Sequence, residues 1–167
     1  KVPEKLRALA TEGFRIVIFT NQGGVAAGKT SVAELKSKLT AIASALGTRV
    51  TVLAAIGKDD QYRKPSPAMW THFEKNLNGK KAIDVEASFY CGDAAGRPAT
   101  ATKRKDFSAD DKTFSKNIGL KFLTPEACFL GESMEQPQQA QAAATTQKKL
   151  SFAPAAKTSS GPKIEGL

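Results

Sequence analysis

Residues Arg15–Thr20 read RIVIFT, Asn21–Lys29 read NQGGVAAGK, and Ser31 then opens a run with Leu35, Leu39, Ile42 and Leu46 at helical spacing. A short β-branched apolar run predicts a buried strand. The glycine-rich stretch predicts a loop, Ser31 a helix N-cap and Gly47 the helix stop. Strand, loop and helix thus form one unit, and the rest of the chain extends it. Upstream, Val2–Thr11 carries Leu6, Leu9 and Ala10 on one face and stops at Gly13. Downstream, Val50–Ile56 predicts a second strand. Ser66 and Pro67 predict an N-cap and first helical residue. Met69, Trp70, Phe73 and Leu77 then share a face, and Asn78-Gly79 closes the helix. Ala87–Cys91 (ASFYC) predicts a third strand. Ser108 with Asp110 and Asp111 suits a helix start, with acids at the positive end of the dipole. Leu120–Leu123 predicts a fourth strand, and Thr124-Pro125-Glu126 a last short helix holding Phe129 and Leu130. Strands alternating with helices predict an α/β fold, a Rossmann-like parallel sheet with flanking helices and right-handed crossovers.

The chain has 167 residues and a net charge of +9. Its length allows one domain and a tail. The domain is expected over residues 1–131. The tail is expected over 132–167, where Gln, Ala, Ser, Thr and Pro dominate and disorder follows from composition. Within the tail, Gln147–Phe152 (QKKLSF) is a basic-apolar island and a candidate docking motif. Residues 1–131 hold 21 Lys+Arg and 13 Asp+Glu, which is +8 of the +9. A positive field on the folded part favours a polyanionic partner such as nucleic acid. Cys91 and Cys128 are far apart without a CxxC, which argues against a disulfide framework or a zinc site, and Cys91 reads as core. His72 lies off the aromatic face and has no partner in the pattern. No apolar stretch approaches the roughly 20 residues of a membrane helix. The chain starts at Lys1, inside a helical pattern, so a fragment is expected.

In open parallel sheets, sites form beyond the carboxyl ends of the strands. The first strand ends in Thr20-Asn21, the second leads to Arg63-Lys64-Pro65, and the third ends in Gly92-Asp93. A hydroxyl, an amide, a lysine and a carboxylate meeting in one crevice suit a phosphoryl group. Thr and backbone amides bind its oxygens, Lys neutralises charge, and Asp holds Mg²⁺. One rival motif overlaps this set. Gly23-x4-Gly28-Lys29-Thr30 matches the P-loop pattern, between a strand and a helix as that motif requires, and would make the chain a kinase or NTPase.

Phe19–Gly24 (FTNQGG), Arg63-Lys64-Pro65, Cys91–Arg97 (CGDAAGR), Lys105–Ser108 (KDFS), Asp111–Asn117 (DKTFSKN) and Phe122–Phe129 (FLTPEACF) run in this order. Together they resemble the polynucleotide kinase 3′-phosphatase family, of the haloacid dehalogenase-like superfamily, over roughly residues 3–131. In the resembling proteins the loop after FTNQ also runs through a Gly-Lys pair, which absorbs the P-loop match. The resemblance implies Mg²⁺-dependent removal of 3′-phosphate from DNA ends through an aspartyl-phosphate. It implies that Thr20 binds the phosphoryl group, Asn21 orients it, and Lys64 holds nucleophile and phosphate together. It makes Asp93 a Mg²⁺ ligand and Asp106 an assistant to the metal or to Lys64. Lys29, Arg97, Lys103, Arg104 and Lys105 are the candidate DNA contacts, and a DNA substrate implies a nuclear location and a repair protein as the partner that docks on the tail.

The family's DxDGT motif, which carries the nucleophile, is absent. Asp59-Asp60 and Asp110-Asp111 are adjacent pairs with the wrong spacing. The motif is expected on a strand before Val2, so these 167 residues alone are expected to be inactive. Ala27 stands where an arginine toward the DNA is expected. A non-catalytic DNA-end binder and a phosphatase for a small phosphate ester remain as further alternatives.

Overall fold

The computed structural model describes residues 1–133. In chain order, helix α1 spans Val2–Thr11, strand β1 Ile16–Asn21, α2 Val32–Leu46, β2 Val50–Ala55, α3 Ala68–His72, β3 Phe89–Cys91, α4 Asp110–Asn117 and β4 Lys121–Leu123. α3 continues as π-helical turns over Phe73–Leu77, and a second π-helical segment covers Glu126–Leu130. β1 pairs with β2 in parallel, from Ile16 opposite Val50 to Asn21 opposite Ala55. β3 pairs with β4 in parallel, from Phe89 opposite Lys121 to Cys91 opposite Leu123. Parallel neighbours need a crossover, and α2 and α4 provide one for each pair.

The start of α2 is fixed locally. Ser31 Oγ accepts from the Glu34 N–H (3.1 Å), and Glu34 accepts from the Ser31 N–H (2.7 Å), a reciprocal capping box. Gly47 ends the helix at φ 65°, a conformation that an L side chain resists. Leu35 and Leu46 are buried, whereas Ile42 is 40% exposed and lies at the edge of the expected stripe. In α3, Met69 and Phe73 are buried but Leu77 is exposed. The i→i+5 bonding of the π turns rotates Leu77 off the buried line. The N-cap position is Pro67, and Ser66 accepts from the Ala68 N–H instead (3.3 Å). Asn78 is buried and binds both Arg15 (3.1 Å) and the Lys81 carbonyl (2.6 Å).

Phe19, Ala55, Met69, Phe73, Tyr90 and Phe114 form the core. Phe114 is fully buried and joins the two strand pairs. Its ring lies 5.5 Å from Phe19 of β1 and 5.1 Å from Tyr90 of β3. Such aromatic pairs contribute roughly 0.5–1.5 kcal/mol each beyond area burial. Cys91 is half-buried, less deep than its apolar run suggested. Among the described residues no helix is long and apolar enough to cross a membrane. The expected boundary at 131/132 falls near the end of the described residues. The tail and its Gln147–Phe152 island lie outside them.

Candidate active site

The ends of β1, β2 and β3 are tied together around one lysine. Asn21, the last residue of β1, accepts from the Lys64 N–H (2.9 Å) and donates to the Lys64 carbonyl (3.1 Å). Both ends of one amide therefore fix the backbone of Lys64. Its ammonium is buried, and donates to Asp111 Oδ1 (2.6 Å) and to the Tyr90 hydroxyl (3.0 Å). That hydroxyl in turn donates to the same Asp111 oxygen (2.9 Å), closing a triangle. The other Asp111 oxygen accepts from the Ala94 N–H (3.0 Å). Lysine has three N–H donors, so one remains beyond these two bonds.

Tyr90 and Gly92 share a face of the strand because side chains alternate. The missing side chain of Gly92 is what admits Asp111, since a Cβ there would collide with the Asp111 carboxylate. Burial raises the Asp111 carboxyl. The bond to Lys64 and its charge, the Ala94 N–H and the Tyr90 hydroxyl outweigh burial and hold it below the usual carboxylate range. Burial, then the charge and bond of Asp111, push the Tyr90 phenol above its usual value, with smaller pushes from Cys91 and Asp93. Tyr90 is therefore a protonated donor. Burial and the neighbouring Cys128 push up the Cys91 thiol, which stays protonated as well.

Asp93, two residues beyond β3, is exposed. Among the described residues its hydrogen bonds run through its backbone carbonyl, to the Ala95 N–H (2.9 Å) and to Arg97 (3.4 Å). Its carboxylate is thus available to a ligand. Thr20 Oγ1 accepts from Gln22 (2.7 Å) and retains its own proton for donation.

Asp106 goes elsewhere than expected. The carboxylate that meets Lys64 is Asp111, a residue read from sequence only as a helix-start acid. Asp106 instead accepts from Arg97 Nε (2.9 Å), Arg97 Nη2 (3.1 Å), the Arg97 N–H (2.9 Å) and the Ala95 N–H (3.2 Å). Arg97 also reaches Glu126 (3.0 Å), so its guanidinium orders the Asp93 loop rather than standing free for DNA. Lys29, Lys103, Arg104 and Lys105 are exposed, with Lys103 paired to Glu132 at 3.6 Å. Asp111, Tyr90 and Glu126 are the residues that sequence reasoning missed. The available signal was Gly92, a glycine two positions from Tyr90 on the same strand face.

Asn21 and Lys64 are bonded to each other, and Tyr90 and Asp111 join Lys64; Thr20 bonds Gln22, and Asp93 bonds Ala95 and Arg97 through its carbonyl. No group of three His, Cys, Asp or Glu side chains able to hold a metal occurs among the described residues. Mg²⁺ commonly binds through one or two carboxylates together with phosphate oxygens and waters, so Asp93 fits as one ligand of such a site and not as a complete one.

The glycine-rich loop does not form a phosphate cradle. Its N–H groups at Val25, Ala27, Gly28 and Lys29 donate to the carbonyls of Gln22, Gly23, Val25 and Gly24, at 2.9–3.1 Å. Ala26 donates to Ile56 (3.3 Å). A P-loop turns such groups toward the nucleotide. The hollow beside the loop, 360 Å³ and lined by Gln22, Lys29, Glu34 and Lys38 among others, adjoins it on the outside. A larger hollow of 420 Å³ lined by residues of α4 and β4 shares no residue with the site.

A family model described as polynucleotide kinase 3 phosphatase matches residues 1–129. The chain belongs to this family. It is 42% identical over 122 residues to an uncharacterized 20.8 kDa protein of Autographa californica nuclear polyhedrosis virus, covering 73% of this chain and 65% of that one. It is 40% identical over 136 residues to the bifunctional polynucleotide phosphatase/kinase of Schizosaccharomyces pombe, covering 81% and 31%. It is 38% identical over 146 residues to the polynucleotide 3′-phosphatase ZDP of Arabidopsis thaliana, covering 79% and 20%. The chain therefore spans less than two thirds of each of these relatives. Among solved structures it resembles D,D-heptose 1,7-bisphosphate phosphatase from B. bronchiseptica, complexed with magnesium and phosphate. The TM-score is 0.55 at 21% identity, covering 72% of this chain and 61% of that one. That likeness establishes the haloacid dehalogenase-like Rossmann fold.

Proposed function

We propose that this chain is the greater part of a phosphatase domain that removes 3′-phosphate from DNA ends in strand-break repair. The observation that carries the proposal is the buried Lys64, held by Asp111 and by Tyr90 of β3, the strand that Gly92-Asp93 follows. The names of two relatives, a polynucleotide phosphatase/kinase and a polynucleotide 3′-phosphatase, support the substrate class.

In the proposed reaction a carboxylate attacks phosphorus, the bond to the sugar oxygen breaks, and a proton goes to that oxygen. Water then releases phosphate from the carboxyl. Thr20 donates to a phosphoryl oxygen. Asn21 fixes the Lys64 backbone, and Lys64 offers its remaining N–H to the charge that develops on the phosphoryl group. Mg²⁺, when bound with Asp93 as one ligand, neutralises phosphate charge. Lys29, Lys103, Arg104 and Lys105 meet backbone phosphates. A nuclear site of action follows from the DNA substrate. These 167 residues contain no Asp-x-Asp, so the nucleophile has to come from outside them. Among the described residues β1 pairs with β2 and β3 with β4, so each pair keeps an edge to which a strand carrying that nucleophile can add.

The test is phosphate release from a nicked duplex bearing a 3′-phosphate, using the full-length gene product. Mg²⁺-dependent release that is lost on Asp93→Asn supports the proposal; no release sinks it. The absent Asp-x-Asp favours a second reading for this chain by itself, a DNA-end binder without turnover. It predicts salt-sensitive binding of 3′-phosphate ends and no hydrolysis even by the full-length product.

A further inference from the structure

Cys91 and Cys128, distant in sequence, meet through the fold. Side chains alternate along a strand, so Cys91 faces away from both of its neighbours on β3. Tyr90 packs on Phe114 of α4 (5.1 Å between ring centroids), and Gly92 leaves room for Asp111 of the same helix. Cys91 therefore faces the other side of the β3–β4 pair. Opposite it in the parallel register stands Leu123, whose carbonyl accepts from the Gly92 N–H (3.2 Å). The chain then turns back. The Cys128 N–H donates to the Thr124 carbonyl (2.9 Å), one turn beyond the end of β4. That turn sets Cys128 against Cys91, and the two thiols hydrogen-bond to each other.

Both cysteines are free thiols and only half-buried, so part of each is open to a small oxidant. The chain has no other cysteine. Cys91 is the last residue of β3, two positions before Asp93. Cys128 sits in the Glu126–Leu130 segment, whose Glu126 holds Arg97 (3.0 Å), and Arg97 reaches the Asp93 carbonyl (3.4 Å). A bond between the two sulfurs would join the root of the Asp93–Arg97 loop to the segment that already grips its far end. Burial and Cys128 push the Cys91 thiol up to about 12, so Cys91 stays protonated while reduced and Cys128 is the sulfur that attacks first.

We propose that Cys91 and Cys128 are a reversible redox pair, closed to an intramolecular disulfide by a small disulfide oxidant of the glutathione type. Cys128 attacks one sulfur of the oxidant, the oxidant's S–S bond breaks, and one small thiol leaves. Cys91 then attacks the Cys128 sulfur of the mixed disulfide, and the second small thiol leaves. The two protein thiols lose two electrons and two protons, which end on the two released thiols. The closed form braces the Asp93–Arg97 loop, and reduction releases it. The pair acts whatever substrate the site takes.

The test equilibrates this 167-residue chain with mixtures of reduced and oxidised glutathione, in native buffer and in denaturant, and reads the product by thiol titration and mass. The expected native product is a monomer lighter by two hydrogens, with no free thiol and no bound glutathione, and dithiothreitol restores both thiols. The equilibrium constant for closure is expected to be at least about tenfold higher in native buffer than in denaturant, because the fold holds the sulfurs together whereas the unfolded chain must close a long loop. Cys91→Ser and Cys128→Ser should each stop at a mixed disulfide with glutathione. Amide exchange at residues 92–97 should slow several-fold on closure. A closure constant in native buffer equal to or below that in denaturant overturns the proposal, and so does a product that stays doubly glutathionylated or links into dimers. Unchanged exchange at residues 92–97 overturns the bracing of the loop.

Discussion

Two ion-pair clusters hold the loop that follows β3, and they differ in burial. In the first, Lys64 and Asp111 have side chains only 10% and 7% exposed, and Tyr90 completes the set. In the second, Arg97 is 33% exposed and binds Asp106 and Glu126 at the rim. The chemistry is alike, but the consequences are not. A buried charge that loses its partner stays unsolvated, whereas water takes over at the rim. The inner cluster therefore sets where the reactive groups stand. The outer one ties the Asp93–Arg97 loop to Asp106 and Glu126.

The contrast is broken most sharply by Asp111→Ala. It leaves Lys64 buried without its anion, and unfolding by denaturant should show a loss of about 3–5 kcal/mol. A double replacement, Lys64→Met with Asp111→Leu, should recover most of that stability while abolishing function. If both variants are equally unstable, packing rather than charge holds the cluster.

Gly92→Ala comes next. The new methyl group drives the Asp111 carboxylate away from Tyr90, at a cost of about 1–3 kcal/mol in the same measurement. An unchanged midpoint would mean that Asp111 moves freely. Arg97→Ala should cost less, of the order of 0.5–1 kcal/mol in global stability, because its cluster is partly solvated. Its effect belongs in the loop, as faster proteolytic cleavage between residues 98 and 105. A global loss as large as that of Asp111→Ala would erase the distinction between the clusters.

The smallest effect is in acid. The Asp111 carboxyl is held below its unfolded value of ~4. Its contribution is complete above that value and is lost as pH falls through the lower, folded one. Asp111→Asn should therefore flatten the fall of stability below pH ~4. A slope identical to that of the unmodified chain would contradict the ion pair.

Much of the fold was legible because it is encoded locally. RIVIFT, the Ser31–Glu34 box and Gly47 each act within a few residues. Strand ends were less legible, for physical reasons. Ala87 and Ser88 look like strand residues, but they hydrogen-bond to Asp84 in a turn, so β3 begins at Phe89. Leu120 exchanges bonds with Ser115 at the end of α4, so β4 begins at Lys121. The site divides the same way. Thr20, Asn21 and Asp93 stand at or just beyond strand ends, where position marks them, and Lys64 lies in the loop that follows β2. Asp111 lies 47 residues from Lys64, and its role depends on the empty face of Gly92, a tertiary fact. The family resemblance made Asp106 an assistant to the metal or to Lys64. Arg97, nine residues away, is the stronger partner.

The most direct measurement is phosphate release from a nicked duplex with a 3′-phosphate, by the full-length gene product and its Asp93→Asn variant, with and without Mg²⁺. The account predicts release that requires Mg²⁺ and falls about 10²–10³-fold in the variant. Release that is indifferent to Asp93, or no release from any 3′-phosphate end, would contradict it.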